Sequence, residues 1–258
     1  MKALAGRKVL VVGAGTRPSP EPDPPPGNGR AIAVRAAAQG AVLALADVDE
    51  GAARRTADLT HEAGGLTAAV VVADLADPAA CTDLVERAAD ELQGLDGVVL
   101  NAGVGAGSGL AGTTAADWDA VLAVNLRAHF LVLQAALPKL GEGGSVVLIS
   151  SVAALRPGSG IPAYDASKAA QLGLARHAAR EGAAGGVRVN TVAPGLIDTP
   201  LGRLATGGRP GRASTRIPLG RQGTAWEVAD AVTFLLSDAA GYITGQVLAV
   251  DGGLSTIA

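Results

Sequence analysis

Tyr164 and Lys168 stand four residues apart in Ala163-Tyr164-Asp165-Ala166-Ser167-Lys168-Ala169-Ala170, a spacing that places both on one face of a helix. An unperturbed phenol has a pKa of about 10, too high for an efficient base near neutrality. An adjacent ammonium favours the phenolate and draws the group toward a working range. Ser151 lies near the end of an apolar run, Val146-Val147-Leu148-Ile149, where its hydroxyl can donate to a substrate oxygen. Asn125, in Val124-Asn125-Leu126, can hold a water that links Lys168 to solvent. Taken singly, a Tyr and Lys on a helix or a Ser after a strand are ordinary. Their combination on suitable elements points to proton exchange at an alcohol or carbonyl oxygen.

A second group of residues could hold a dinucleotide. The run Lys8-Val12 ends in Gly13-Ala14-Gly15, and the next helical stretch opens with Gly27-Asn28-Gly29-Arg30. Glycines there let backbone N–H groups approach a pyrophosphate at the positive end of a helix. Thirteen residues separate Gly13 from Gly27, where a compact turn needs about three. The excess is a Pro-rich insertion at about residues 16–26. With many prolines and almost no apolar anchors, it reads as a semi-rigid, extended excursion. Its bland reading is a tolerated surface loop; its functional reading is a fold over the pyrophosphate or adenine side that slows cofactor exchange. Asp47 ends the second apolar run, where its carboxylate can accept from the adenosine ribose hydroxyls and repel a 2′-phosphate. Asp49 is the better placed to cap the following helix. This favours NAD(H) over NADP(H). Arg30, a basic group beside the turn, is the residue that could instead recruit a 2′-phosphate.

These groups need a scaffold, and the apolar pattern describes one. Short continuous runs at 8–12, 42–46, 66–72, 97–100, 145–150, 187–192 and 246–250 alternate with helical spacing at 30–39, 50–64, 79–93, 115–137, 163–181 and 224–236. Buried parallel strands covered by helices produce this alternation. The expected fold is α/β: a single Rossmann-like domain over residues 1–258, with a doubly wound sheet of about seven parallel strands flanked by helices. A Gly- and Arg-rich stretch at about 200–222 interrupts the rhythm after the sixth strand, as a substrate-covering loop would. Its Arg203, Arg209, Arg212 and Arg216 could favour an acidic substrate, although a merely solvated loop also fits. Leu155, Ile161 and Leu201 are candidate aliphatic pocket residues.

Composition limits the alternatives. The chain has 258 residues, 48% of them hydrophobic, and a net charge of -3 without long runs of either sign. That gives no electrostatic footprint for nucleic acid or an anionic membrane. Cys81 is the one cysteine, and its neighbours suggest neither metal binding nor redox pairing. No metal site is expected. His61, His129 and His177 lie on helices without motif context and read as structural. The N-terminal residues run into the first strand without a leader-like apolar region, and no apolar run elsewhere reads as long enough to span a bilayer. A cytoplasmic enzyme with a small-molecule partner is the resulting expectation.

Together these residues resemble the classical short-chain dehydrogenase/reductase family over essentially the whole chain. Tyr164-x-x-x-Lys168 looks like the family's catalytic pair; Ser151, thirteen residues earlier, and Asn125 match its other two catalytic positions. Leu100-Asn101-Ala102-Gly103 is similar to its Asn-Asn-Ala-Gly segment, with Leu100 replacing the first Asn. Asp74-Leu75 falls where the family contacts adenine. The stretch Val189 to Pro200, with Pro194, Gly195, Ile197 and Thr199, resembles the segment that holds nicotinamide. In the phosphate turn, Val12 replaces the family's Thr and Asn28 its usual Ile or Leu. The resemblance implies hydride transfer between a nicotinamide cofactor and a secondary alcohol or ketone. Tyr164 would be the acid/base, Ser151 would orient the oxygen and Lys168 would also contact the nicotinamide ribose. Cofactor contacts carried over are Gly13, Thr16, Asn28, Gly29, Asp47, Asp74, Leu75, Asn101, Ala102, Gly103, Tyr164, Lys168, Pro194, Gly195, Ile197 and Thr199. A homo-oligomer, tetramer or dimer, is also implied. An epimerase or dehydratase on the same fold, or a dinucleotide-binding protein without turnover, remains an alternative.

Overall fold

A computed structural model describes residues 2–156, 158–207 and 215–258. Its centre is a seven-stranded parallel sheet: β1 (Lys8–Val12), β2 (Val42–Asp47), β3 (Leu66–Val72), β4 (Leu95–Leu100), β5 (Leu140–Ile149), β6 (Arg188–Pro194) and β9 (Val247–Val250). The strand order is β3-β2-β1-β4-β5-β6-β9. The order reverses between β1 and β4, which opens a crevice beyond the strands' carboxyl ends.

Period-two side-chain alternation divides the core between the sheet's faces. Val9, Val11, Leu43, Leu45, Val99, Val147 and Ile149 join one cluster. Helices α1 (Asn28–Ala38) and α8 (Ala225–Leu236) close it, and α1 packs on α8. Leu10, Val12, Val98, Leu100, Val146 and Leu148 join the other cluster. There α3 (Pro78–Leu92), α5 (Ala128–Ala136) and α6 (Pro162–Gly182) supply the cover. Between β2 and β3, α2 (Glu50–Glu62) is capped by Asp49, whose side chain accepts from Ala52 N. That leaves Asp47 outside the capping role.

The periodicity predicts one helix over 115–137, but the backbone there changes hydrogen-bonding register. Helix α4 (Ala115–Leu122) passes through a π-helical turn, Ala123–Arg127, before α5 begins. One widened turn hardly disturbs an apolar pattern, so it leaves little trace in the sequence; such turns often accompany functional sites. Within Ala115–Lys139 an 18-residue window has a mean hydropathy of 1.6, so by length and composition alone the stretch could cross a bilayer. This corrects the expectation that no run qualifies, which looked only for uninterrupted apolar residues. Its parts pack along α3 and α6.

Three short elements go beyond the sequence pattern. Strands β7 (Ile197–Asp198) and β8 (Gly223–Thr224) pair as a separate parallel ladder, and α7 (Pro200–Gly207) lies within the Gly- and Arg-rich stretch at about 200–222. Two-residue strands carry no periodicity of their own. Strand β3 also departs from the fully buried pattern: it ends the sheet, and Leu66 and Val72 are exposed.

Candidate active site

The inserted loop leaves the β1–α1 turn closed at its base. Gly27 N donates to Thr16 Oγ1 at 2.9 Å, so residues 17–26 leave and return at adjacent points. Gly13 adopts a φ of 78°, and a Cβ on it would meet Ala102 N at 2.7 Å. A Cβ on Gly29 would lie 1.8 Å from Gly13 O. Only glycine lets α1 approach the end of β1 this closely.

Helix α1 opens at Gly27 with no side-chain cap and no acidic residue in its first turn. That end therefore offers backbone N–H groups and a positive dipole to an anion. Asn28 Oδ1 is buried there without a hydrogen-bond partner. An uncapped helix start, a glycine cradle and an orphaned buried acceptor together fit a dinucleotide.

Asp47 braces the same turn. Its Oδ2 accepts from Gly15 N at 2.8 Å, and its Oδ1 from Asp49 N at 3.0 Å. Arg30 turns toward α2, where its Nε donates to Thr56 Oγ1 at 3.1 Å; burial and neighbouring Arg55 lower its pKa. Asn101 Nδ2 donates to Gly13 O at 2.7 Å, tying the segment after β4 to the glycine turn. Farther along the crevice, Asp74 closes an Asx turn by accepting from Ala76 N, while Leu75 is buried. Gly195 N donates to Val250 O. Beyond Pro194, at the end of β6, Ile197 packs its side chain into the core. Thr199 Oγ1 accepts from Gly202 N and holds the start of α7.

The proposed proton-transfer residues meet where α6 crosses the end of β5. Lys168 is 3% exposed, and its Nζ donates to Ile149 O at 2.8 Å. Burial pulls its pKa down to about 7. Its Nζ lies 5.6 Å from the centroid of the Tyr164 ring, as the one-turn spacing requires. Ser150 Oγ donates to Lys168 O at 2.8 Å, locking α6 to the strand. Ser151 caps the short 3₁₀ turn after β5 by accepting from Ala153 N at 3.1 Å. That bond uses a lone pair and leaves the hydroxyl proton free to donate elsewhere, so capping and substrate binding are compatible at this residue.

Asn125 occupies the π-turn and is fully buried. Its carboxamide clasps Val104, accepting from Val104 N at 2.8 Å and donating to Val104 O at 2.9 Å; its Nδ2 also reaches Ser167 Oγ. A Cβ on Gly103 would come within 3.5 Å of both Lys168 Nζ and Asn125 Oδ1. Segment 101–103, the π-turn and α6 thus converge on Lys168.

Sequence reasoning missed Gln171 and assigned His129 no particular partner; both are fully buried within this cluster. A polar residue three positions after Lys168 was a usable signal, because one flank of α6 had to be buried.

The arginine-rich stretch differs from its expected role. Arg203 is neutralised within the protein: its Nε and Nη2 engage Asp198 at 2.6 and 2.8 Å, and Nη1 pairs with Glu21 of the insertion. It is therefore spent as a substrate anion site. Arg209 and Arg212 lie outside the described residues, and Arg216 is exposed. Leu155 and Leu201 are exposed and Ile161 is partly so, as residues at a pocket mouth would be.

A doubly wound sheet, a glycine cradle at its switch point and a Tyr–Lys pair on the adjoining helix define a dinucleotide-dependent enzyme scaffold. Comparison with known proteins agrees. The profile of a family described as enoyl-(acyl carrier protein) reductase matches residues 26–255. Over 238 residues the chain is 39% identical to 2-(S)-hydroxypropyl-CoM dehydrogenase 3 of Xanthobacter autotrophicus, covering 88% of this chain and 92% of that one. It is 37% identical over 222 residues to the 3-oxoacyl-(acyl-carrier-protein) reductase of Thermotoga maritima, covering 84% and 89%. A short-chain dehydrogenase from Burkholderia cenocepacia in complex with NADP superposes with a TM-score of 0.88 at 34% identity, covering 98% and 100%. The chain belongs to the short-chain dehydrogenase/reductase family.

Gly29→Ala tests the cradle. Its Cβ would meet a backbone oxygen, so the helix start must move, and NADH affinity measured by fluorescence titration should fall at least about tenfold. Wild-type affinity in that variant would contradict the tight approach seen here.

Proposed function

We propose that the protein reduces and oxidises a 3-oxoacyl or 3-hydroxyacyl thioester, with NAD(H) as the preferred nicotinamide cofactor. The chain is an NAD(P)-dependent alcohol/carbonyl oxidoreductase by family; the substrate class, the preference for NAD and the residue roles are our reading. One observation carries the mechanism: the buried Lys168 ammonium, held by the Ile149 carbonyl, lies one helical turn beneath Tyr164. A cation in that dry position favours the phenolate far more than one in water would.

In the reductive direction, Tyr164 gives its phenolic proton to the substrate oxygen, and Lys168 stabilises the phenolate left behind. In oxidation the phenolate takes the alcohol proton. Ser151 donates to the same substrate oxygen and fixes its approach. Asn125 holds the π-turn beside Lys168 and keeps that side of the site formed. The nicotinamide ring, when bound, supplies or accepts the hydride. Gly13, Thr16, Asn28 and Gly29 would cradle its pyrophosphate. Asp47 would face the adenosine ribose, Asp74 and Leu75 the adenine, and segments 101–103 and 194–199 the remainder.

The substrate class draws on the reductase of Thermotoga maritima, named for a 3-oxoacyl group on a carrier protein, and on the aliphatic Leu155, Ile161 and Leu201, which are exposed or half-buried after β5, at the start of α6 and on α7. The NAD preference rests on the Asp47 carboxylate, which would stand against a 2′-phosphate, and on the engagement of Arg30 with Thr56. The related Burkholderia enzyme binds NADP, so the residues of this chain, rather than its ancestry, carry the distinction.

The test is acetoacetyl-CoA reduction within a panel of ketones, each assayed with NADH and NADPH. The expected kcat/KM is at least about tenfold higher with NADH, and Tyr164→Phe should lower kcat by about a hundredfold or more. In Asp47→Asn, which keeps an acceptor for Gly15 but loses the charge, the NADH preference should shrink about tenfold. Full activity in Tyr164→Phe, or a wild-type preference for NADPH, would overturn the corresponding part of the reading.

We also infer a homo-oligomer with an interface on α4 and α5. Trp118 and Phe130 are exposed there, and Leu122, Leu126 and Phe130 line a shallow groove with Asp119 and Arg127. Such an apolar face fits association with a second copy. Light scattering should then give a multiple of the chain mass, and a monomer at micromolar concentration would contradict it.

A further inference from the structure

Gln171 of α6 and His129 of α5 are both completely buried. Burying an amide and an imidazole is unfavourable unless their polar atoms are matched. Here the matching is nearly complete. Gln171 Nε2 carries two protons, and it lies 2.6 Å from Asn125 O and 2.9 Å from His129 Nδ1. The reverse amide orientation would set two oxygens against each other at Asn125, so this orientation follows from the partners.

With Nδ1 accepting, His129 holds its proton on Nε2, which donates to Ala102 O at 3.1 Å. Burial chiefly, and then the Lys168 charge, pull the His129 pKa down to about 3. The ring is therefore neutral near pH 7. Gln171 Oε1 is then left facing Lys168 Nζ at 3.5 Å. The two side chains form one strut that ties segment 101–103 and the π-turn to Lys168 through protein atoms alone.

We propose that Gln171 and His129 are positioning residues for the reaction: Gln171 sets a carbonyl dipole against the Lys168 ammonium, and His129 fixes the amide in the orientation that does so. The inference rests on the reading of Tyr164 as the acid/base group. The groups around Lys168 are Tyr164 and Gln171 of its own helix, Ile149 O of β5, Asn125 of the π-turn, His129 of α5 and Gly103 after β4. None of these is negatively charged until Tyr164 ionises. The Gln171 carbonyl is thus one of few polar groups favouring the ammonium.

The sign of its loss follows. Without the Gln171 oxygen, the Lys168 ammonium is less favoured and its pKa falls further. A less charged Lys168 supports the Tyr164 phenolate less, and the Tyr164 pKa rises. The limb of the pH–rate profile set by Tyr164 therefore moves to higher pH.

The experiment compares the full-length wild type with Gln171→Met in NAD-dependent oxidation of 3-hydroxybutyryl-CoA. Methionine keeps the length of the side chain and removes its polar atoms. We expect kcat near neutrality to fall about tenfold with KM for NAD within about twofold, and the rising limb to move up by about one pH unit. A wild-type profile, or a lower kcat with the limb unmoved, would overturn the proposal. A second measurement requires neither the variant nor turnover: nitrogen-15 spectra of the three imidazoles in the wild-type protein. His129 should be an Nε2–H tautomer that does not titrate between about pH 5 and pH 9; titration in that range, or an Nδ1–H tautomer, would overturn the arrangement. Full activity in Tyr164→Phe would instead defeat the acid/base reading while leaving the imidazole result standing.

Discussion

The arrangement of this protein turns on keeping one ammonium in a dry place. Lys168 is almost wholly buried and loses most of its hydration, a change that by itself favours the neutral amine. What holds it there is a set of oriented oxygens, above all Ile149 O. Strand β5 must end at this point for that carbonyl to be available, and α6 must cross just beyond it. Ser150 fixes the crossing through Lys168 O. The same ion that is unfavourable to bury is the one able to act strongly on the Tyr164 phenol, because little solvent screens it. On the proposed mechanism, stability is traded for reactivity at this residue.

The dinucleotide turn meets a different constraint. Ten residues more than a compact loop leave the crevice between Thr16 and Gly27, yet the hydrogen bond between those two residues restores the short connection. From the viewpoint of β1 and α1, the insertion is almost absent. Its far side touches α7 through the Glu21–Arg203 pair. Both partners are substantially exposed, so that contact contributes little stability. The close packing of Gly29 on Gly13 and of Gly13 on Ala102 is what preserves the turn.

Much of this was legible in the sequence, for local reasons. Short continuous apolar runs and helical spacing gave the seven strands and their covering helices, because a strand buried on both faces and a helix buried on one each leave a local pattern. Tyr164 and Lys168 were visible because both lie on one turn of one helix. Asp47 and Asp49 could be told apart by their distance from the start of α2. What could not be read depends on distant partners. The π-turn at 123–127 preserves the apolar pattern, and its meaning comes from Val104 and Ser167 clasping Asn125. Likewise, His129 and Gln171 lie 42 positions apart, and no periodicity links them. The arginines after Thr199 looked available to substrate until Arg203 was found paired with Asp198 and Glu21. Charge in a sequence does not reveal whether it is already neutralised.

The central claim is that Tyr164 and Lys168 serve direct hydride exchange at a carbonyl carbon. Reduction of acetoacetyl-CoA by the intact enzyme with NADH deuterated at both C4 positions addresses it directly. The account predicts one deuterium on the new carbinol carbon of 3-hydroxybutyryl-CoA and none acquired there from deuterated solvent with ordinary NADH. A product whose carbinol hydrogen comes from solvent would contradict it.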